Sequence, residues 1–112
     1  MRIDLTTIGA RTGQPRTTEL YAWPDGEALV IVGSKGGSAR HPAWVHNLRA
    51  TPQVTVKRGR SERPMLAREV TEADERERMW ALVVEAFPLY ATYQARTERR
   101  IPLFVLEPIA GS

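Results

Sequence analysis

Short apolar blocks recur along the chain, and glycine and proline separate them. Leu5 and Ile8 offer packing side chains within residues 1–9 without specifying an element. Thr17–Trp23 (T-T-E-L-Y-A-W) is rich in β-branched and aromatic residues and predicts a strand. Pro24-Asp25-Gly26 predicts a turn, and the apolar run Ala28–Val32 a buried strand, together a first hairpin. His41-Pro42 fits a helix entry, with Pro42 at or near the first helical position. Trp44, Val45 and Leu48 give that helix one apolar face, and Thr51-Pro52 ends it. Gln53–Lys57 alternates, Gly59 turns the chain, and Met65–Val70 follows Pro64 as the second half of another hairpin. Thr71 suits a helix N-cap, with Asp74 where a capping box carries Glu. Met79, Leu82, Val83, Ala86 and Phe87 keep helical core spacing up to the break at Pro88. Tyr90, Tyr93, Gln94 and Thr97 share a face of a second helical piece, and Ile101–Glu107 is the last strand.

The predicted order is β-β-α-β-β-α-α-β. Hairpins dominate, so the fold class is α+β, mainly β, with a mostly antiparallel sheet. A small barrel with covering helices closes such a sheet. Residues 1–112 are long enough for one core and predict a single domain without repeats.

Composition narrows the chemistry. With no cysteine there is no disulfide, thiolate metal site or cysteine nucleophile. Only two histidines are present, so no metal site is expected. No stretch approaches the ~20 apolar residues of a membrane span, and no apolar leader follows Met1. A cytoplasmic protein without a membrane span is therefore expected. The net charge is +3, from 16 Lys+Arg and 13 Asp+Glu. That excess suits an anionic small ligand. A nucleic-acid partner is not expected, because no basic stripe with interleaved aromatics appears. Arg11, Arg16, Lys35 and Arg40 lie in glycine- and proline-punctuated segments, and the unbalanced positive field falls in the first forty residues. Arg99-Arg100 reads as a surface pair.

Two stretches carry the candidate chemistry. Ile31–Asn47 (I-V-G-S-K-G-G-S-A-R-H-P-A-W-V-H-N) is strand, small-residue loop and helix start. It offers unhindered backbone N–H groups and a mobile cation, the parts of an anion site. Gly9–Arg16 (G-A-R-T-G-Q-P-R) is a turn flanked by two arginines that could face that loop. Tyr90 and Tyr93, next to the Pro88 break, suggest a lid over it.

These motifs occur with T-T-I-G-A-R-T-G-Q-P-R (6–16), H-P-A-W-V-H-N-L (41–48), F-P-L-Y-A-T-Y-Q (87–94) and R-I-P-L-F-V-L-E-P (100–108). In that set and order the chain resembles the deazaflavin-dependent nitroreductases, the F420H2-dependent oxidoreductases. The resemblance implies a split β-barrel, the fold shared with FMN-binding flavin reductases. It implies coenzyme F420, a deazaflavin with a phosphate and a polyglutamate tail, as cofactor. Arg11, Thr12 and Arg16 would then hold the phosphate and tail. Val32, Gly33, Ser34 and Lys35 would line the cofactor, with Ala43, Trp44, Val45, His46 and Asn47 as the wall against its ring and Tyr90 beside it. Tyr21, Ser34, Phe87, Tyr90 and Tyr93 would shape the substrate pocket, and Ser34 or Tyr93 could relay a proton as catalytic residue. The implied enzyme is a reductase passing a hydride to a small-molecule acceptor: a quinone, nitroaromatic or activated enone. The alternative is an FMN-binding or non-catalytic flavin-binding split barrel. Monomeric and homodimeric states both fit. Phe87 stands where relatives often carry tyrosine, and the N-terminal arm that some relatives bring to a pocket or membrane is short here.

Overall fold

Ile3, Leu5 and Thr7 are buried while Arg2, Asp4 and Thr6 turn to the other face, so Arg2–Ile8 forms a strand, β1. This is the computed structural model of the chain, and it describes residues 1–109. The alternation ends in the β-branched Thr7 rather than an aliphatic residue, which hides the strand in the sequence pattern. β1 is not peripheral. It lies between β2 (Pro15–Tyr21) and β5 (Gln53–Arg58).

That placement corrects the first predicted hairpin. β2 turns back onto β1, with Ile8 opposite Pro15 and Arg2 opposite Tyr21. The predicted strand through Trp23 is divided at the buried Ala22, and Trp23–Asp25 forms a separate short strand, β3. β3 pairs with β4 (Ala28–Val32), and the turn between them is Gly26-Glu27, so that Pro24 and Asp25 of the predicted turn lie inside β3. The hairpin of β5 and β6 (Ser61–Glu69) forms as predicted, but β6 begins before Pro64. β7 is Leu103–Pro108. The sheet order is β2-β1-β5-β6-β7-β4-β3, and every pairing is antiparallel.

The helices are α1 (Ala43–Ala50), α2 (Ala73–Ala86) and α3 (Leu89–Ala95). The N-cap of α2 is Glu72, not Thr71: its carboxylate accepts from the Glu75 N–H at 2.7 Å. α2 ends at Ala86, and α3 begins directly after Pro88.

β4 and β7 are buried on both faces, and their residues divide by parity between two cores. Ile31, Phe104 and Leu106 join Leu5, Val56, Met65 and the apolar face of α1 in one cluster. Val30, Val32, Leu103 and Val105 join Met79, Val83 and Tyr90 of α2 and α3 in the other. This explains why both strands read as continuous apolar runs instead of alternating. The sheet curls around α1, while α2 and α3 cover the outer face of β4 and β7. The curled antiparallel sheet with three helices matches the expected split β-barrel class.

Candidate active site

Where the curled sheet, α1 and α3 meet, they enclose an open cavity of about 1190 Å³. Pockets for one drug-sized molecule hold roughly 300–1,000 Å³, so there is room for a cofactor and a second planar molecule.

One end is cationic. The turn between β1 and β2 brings Arg11, Thr12 and Arg16 to the wall, and the loop after β4 brings Lys35. All three cations are exposed, and among the described residues none forms an ion pair. The turn closes on itself through Gly9 N–H to the Gln14 carbonyl (2.8 Å) and Gly13 N–H to the Gly9 carbonyl (2.9 Å). A long-range contact fixes its position. Asn47 on α1 accepts from the Ala10 N–H at 2.9 Å and donates to Thr7 Oγ1 at 3.0 Å. Asn47 is only 7% exposed, so its amide is committed to the turn, although it also borders the cavity.

The loop after β4 supplies backbone donors. Ser34 is right-handed (φ −77°, ψ −41°), and Lys35 at φ 44° is the only non-glycine residue with positive φ among those described. Such a right-to-left reversal turns successive N–H groups to one side in an anion-binding concavity. Among the described residues, the N–H groups of Ser34, Lys35 and Gly36 have no hydrogen-bond acceptor, and all three residues line the cavity. Gly37 carries the loop past α3: a Cβ there would lie 2.7 Å from the Tyr93 carbonyl oxygen.

The other end is aromatic. Tyr21, Phe87, Tyr90 and Tyr93 line it. Trp23, not singled out in the sequence, is the hub behind them. It stacks on Tyr21 (6.0 Å between centroids) and Phe87 (6.4 Å), and its Nε1–H donates to Tyr90 Oη at 3.0 Å. Burial pushes the Tyr90 phenol above its ordinary pKa, and the Trp23 donor partly opposes this, so Tyr90 stays protonated at neutral pH.

Between the ends lie Val32, Ser34, Ala43, Trp44 and His46. Trp44 serves both core and wall: it is 9% exposed and meets Phe104 edge-on at 5.9 Å. Two expected wall residues stand elsewhere. Val45 is fully buried in the core around α1, and Gly33 lies behind the wall. A Cβ on Gly33 would come within 2.9 Å of Val45 and 2.8 Å of Pro102, so glycine is needed there for packing.

Arg99 is no surface residue. It is half-buried, and its guanidinium donates to the Ser38 (2.7 Å), Gly33 (3.0 Å) and Ser34 (2.8 Å) carbonyls and to His41 Nδ1 (2.9 Å). Its neighbour Arg100 is exposed, as expected. His41 is held below the ordinary histidine pKa, first by burial and then by the charges of Arg99, Arg49 and His46, with Glu69 opposing.

The arrangement fits a flat ring carrying an anionic tail, because cations and free N–H donors end in an aromatic wall. Among the described residues no group of three metal-ligating side chains forms, and no helix is long and apolar enough to cross a membrane.

The chain is similar to several known proteins. The family model for F420H(2)-dependent quinone reductase matches residues 2–108. The F420H(2)-dependent quinone reductase Rv1261c of Mycobacterium tuberculosis is 45% identical over 104 residues, 91% of this chain and 70% of that protein. A solved structure described as an F420-H2 dependent reductase, FDR-A, has a TM-score of 0.84 and 42% identity, covering 95% of this chain and 93% of its own. Another, described as a domain-swapped dimer, has a TM-score of 0.85 and 42% identity over 95% of this chain and 79% of its own.

Proposed function

The chain belongs to the F420H(2)-dependent quinone reductase family, and from that premise we propose how its cavity divides the work. The protein is an oxidoreductase that uses reduced coenzyme F420 and a quinone acceptor; the relatives give the flavin alternative no support. One observation supports the residue assignments: a single cavity joins three cations and three N–H groups, all without partners among the described residues, to an aromatic wall.

Arg11, Arg16 and Lys35 bind the phosphate and carboxylates of the cofactor, helped by the N–H groups of Ser34, Lys35 and Gly36 and by the Thr12 hydroxyl. Val32, Ala43, Trp44 and His46 hold the ring. When bound, reduced F420 supplies the hydride. Tyr21, Phe87, Tyr90 and Tyr93 orient the acceptor and shield it from water. The acceptor oxygen gains negative charge, and protonated hydroxyls stabilise it. Tyr90 Oη already accepts from Trp23 Nε1, so its own proton is free to point elsewhere. Ser34 and Tyr93 are the proposed proton relay to the product. Nitroaromatics and activated enones fit the same wall as further acceptors.

Reoxidation of reduced F420 by a naphthoquinone, followed by absorbance, tests this reading. Turnover with reduced F420 and none with reduced FMN is expected. Turnover with FMN alone would refute it. We also propose a cytosolic homodimer, supported by the domain-swapped structural neighbour. Sedimentation and cell fractionation test those two points.

A further inference from the structure

Four of the five N–H donors of Arg99 are used, and none goes to a carboxylate. Its three carbonyl partners, Gly33, Ser34 and Ser38, bracket the Lys35–Gly37 turn from both sides. Its fourth partner, His41, lies one residue before the α1 N-cap, Pro42. A single planar fork therefore ties together the start, the end and the exit of the loop that presents free N–H groups to the cavity. Arg99 itself does not line the cavity.

The arginine is in turn held in place. Gln94 of α3 donates to the Arg99 carbonyl (2.8 Å) and accepts from the Ile101 N–H (2.9 Å), clamping the backbone on both sides. A guanidinium has no lone pair to offer, so His41 Nδ1 must be the acceptor and the ring proton must sit on Nε2. Lysine could not replace this fork: its donors radiate from one atom and cannot reach the same spread of acceptors in a plane.

We propose that Arg99 is the positioning residue of the cofactor loop: it fixes the backbone geometry of Ser34–Gly36 on which recognition of the anionic cofactor depends, without touching the cofactor. The inference rests on the F420 reading above, and it concerns a residue that reading does not use. The Lys35 side chain supplies charge; Arg99 supplies the shape that keeps left-handed Lys35 and its neighbours aimed into the cavity.

The test compares wild type, Arg99→Gln and Arg99→Lys. F420 dissociation constants are measured by fluorescence well below each Tm, with hydrogen exchange of residues 33–41 read on the ligand-free proteins. Expected are a rise in F420 Kd of roughly tenfold or more in both variants, faster exchange confined to that loop, and an unchanged quinone KM at saturating cofactor. A role limited to overall stability would lower Tm and leave Kd unchanged, which would overturn the proposal. Restoration of wild-type affinity by lysine would overturn it too. If wild type itself fails to bind F420, the functional reading fails; loop exchange in the ligand-free variants then still decides whether Arg99 holds the loop. Should the variants not fold, the Arg99 Nε–H resonance of the wild type is decisive. Slow exchange with solvent supports the clamp, and the rapid exchange of a free arginine refutes it.

Discussion

Replacing Lys35 with glycine should move stability and affinity in opposite directions. Lys35 sits at φ 44°, where an L-residue costs about 1–2 kcal/mol. Glycine adopts that conformation freely and costs only its extra chain entropy, about 0.5–1 kcal/mol. Lys35→Gly should therefore stabilise the fold by about 0.5–1 kcal/mol. Unfolding entropy near 2.1 cal/mol/K per residue gives about 0.24 kcal/mol/K for the 112-residue chain, so Tm should rise about 2–4 °C. With Lys35 assigned to the tail as proposed, the lost ammonium would remove a charged hydrogen bond worth about 1.5–3 kcal/mol, so F420 should bind roughly 10–150-fold more weakly. Lys35→Ala separates the two effects: it loses the same affinity while keeping the positive φ and hence the same Tm. Thermal melts and fluorescence titrations measure both. Unchanged F420 affinity in both variants would refute the assignment of Lys35 to the tail, and a lower Tm in the glycine variant would refute the strain argument.

Three further predictions address other parts of the site. Asn47→Ala leaves buried Thr7 and the Ala10 N–H without partners and should cost about 1–3 kcal/mol; Asn47→Asp, which keeps the acceptor for Ala10 and can accept from Thr7, should melt closer to wild type. Trp23→Phe keeps a ring between Tyr21 and Phe87 but removes the donor to Tyr90, so ultraviolet titration should find the Tyr90 pKa raised further above its ordinary value. Because the His41 pKa is lowered in the folded chain, the unfolded chain takes up its proton first as pH falls through about 6.5. Stability should decline in that window and level off below the folded pKa, and His41→Gln should flatten the decline seen in denaturant titrations at successive pH values.

Local signals that act within a few residues were legible in the sequence. The β5–β6 hairpin follows from the alternation of Gln53–Lys57 and the turn at Gly59, and the break between α2 and α3 follows from Pro88. The stretch Ile31–Asn47 was recognisable as a strand, loop and helix because its composition changes sharply at Gly33 and His41. What escaped depends on long-range partners. β1 is held by pairing on both sides, which nothing within residues 1–9 reveals. Arg99 looks like half of a charged surface pair, yet its partners are carbonyls more than fifty residues away, and carbonyls leave no mark in a sequence. Val45 and Trp44 are neighbours on α1, but the turn of about 100° between successive helical residues leaves Val45 wholly in the core while Trp44 reaches both core and wall. The Trp23 hub could have been suspected from its chemistry, since a buried indole N–H seeks an acceptor, but only the fold brings Tyr90 to it.

In the proposed division of the cavity, one end recognises charge and the other a flat ring. Comparing intact F420 with the deazaflavin fragment that lacks its phosphate and tail tests this most directly, at low and high salt. Much tighter binding of intact F420, with an advantage that shrinks as salt screens Arg11, Arg16 and Lys35, is the predicted result. Equal affinity for the two molecules, independent of salt, would contradict the account.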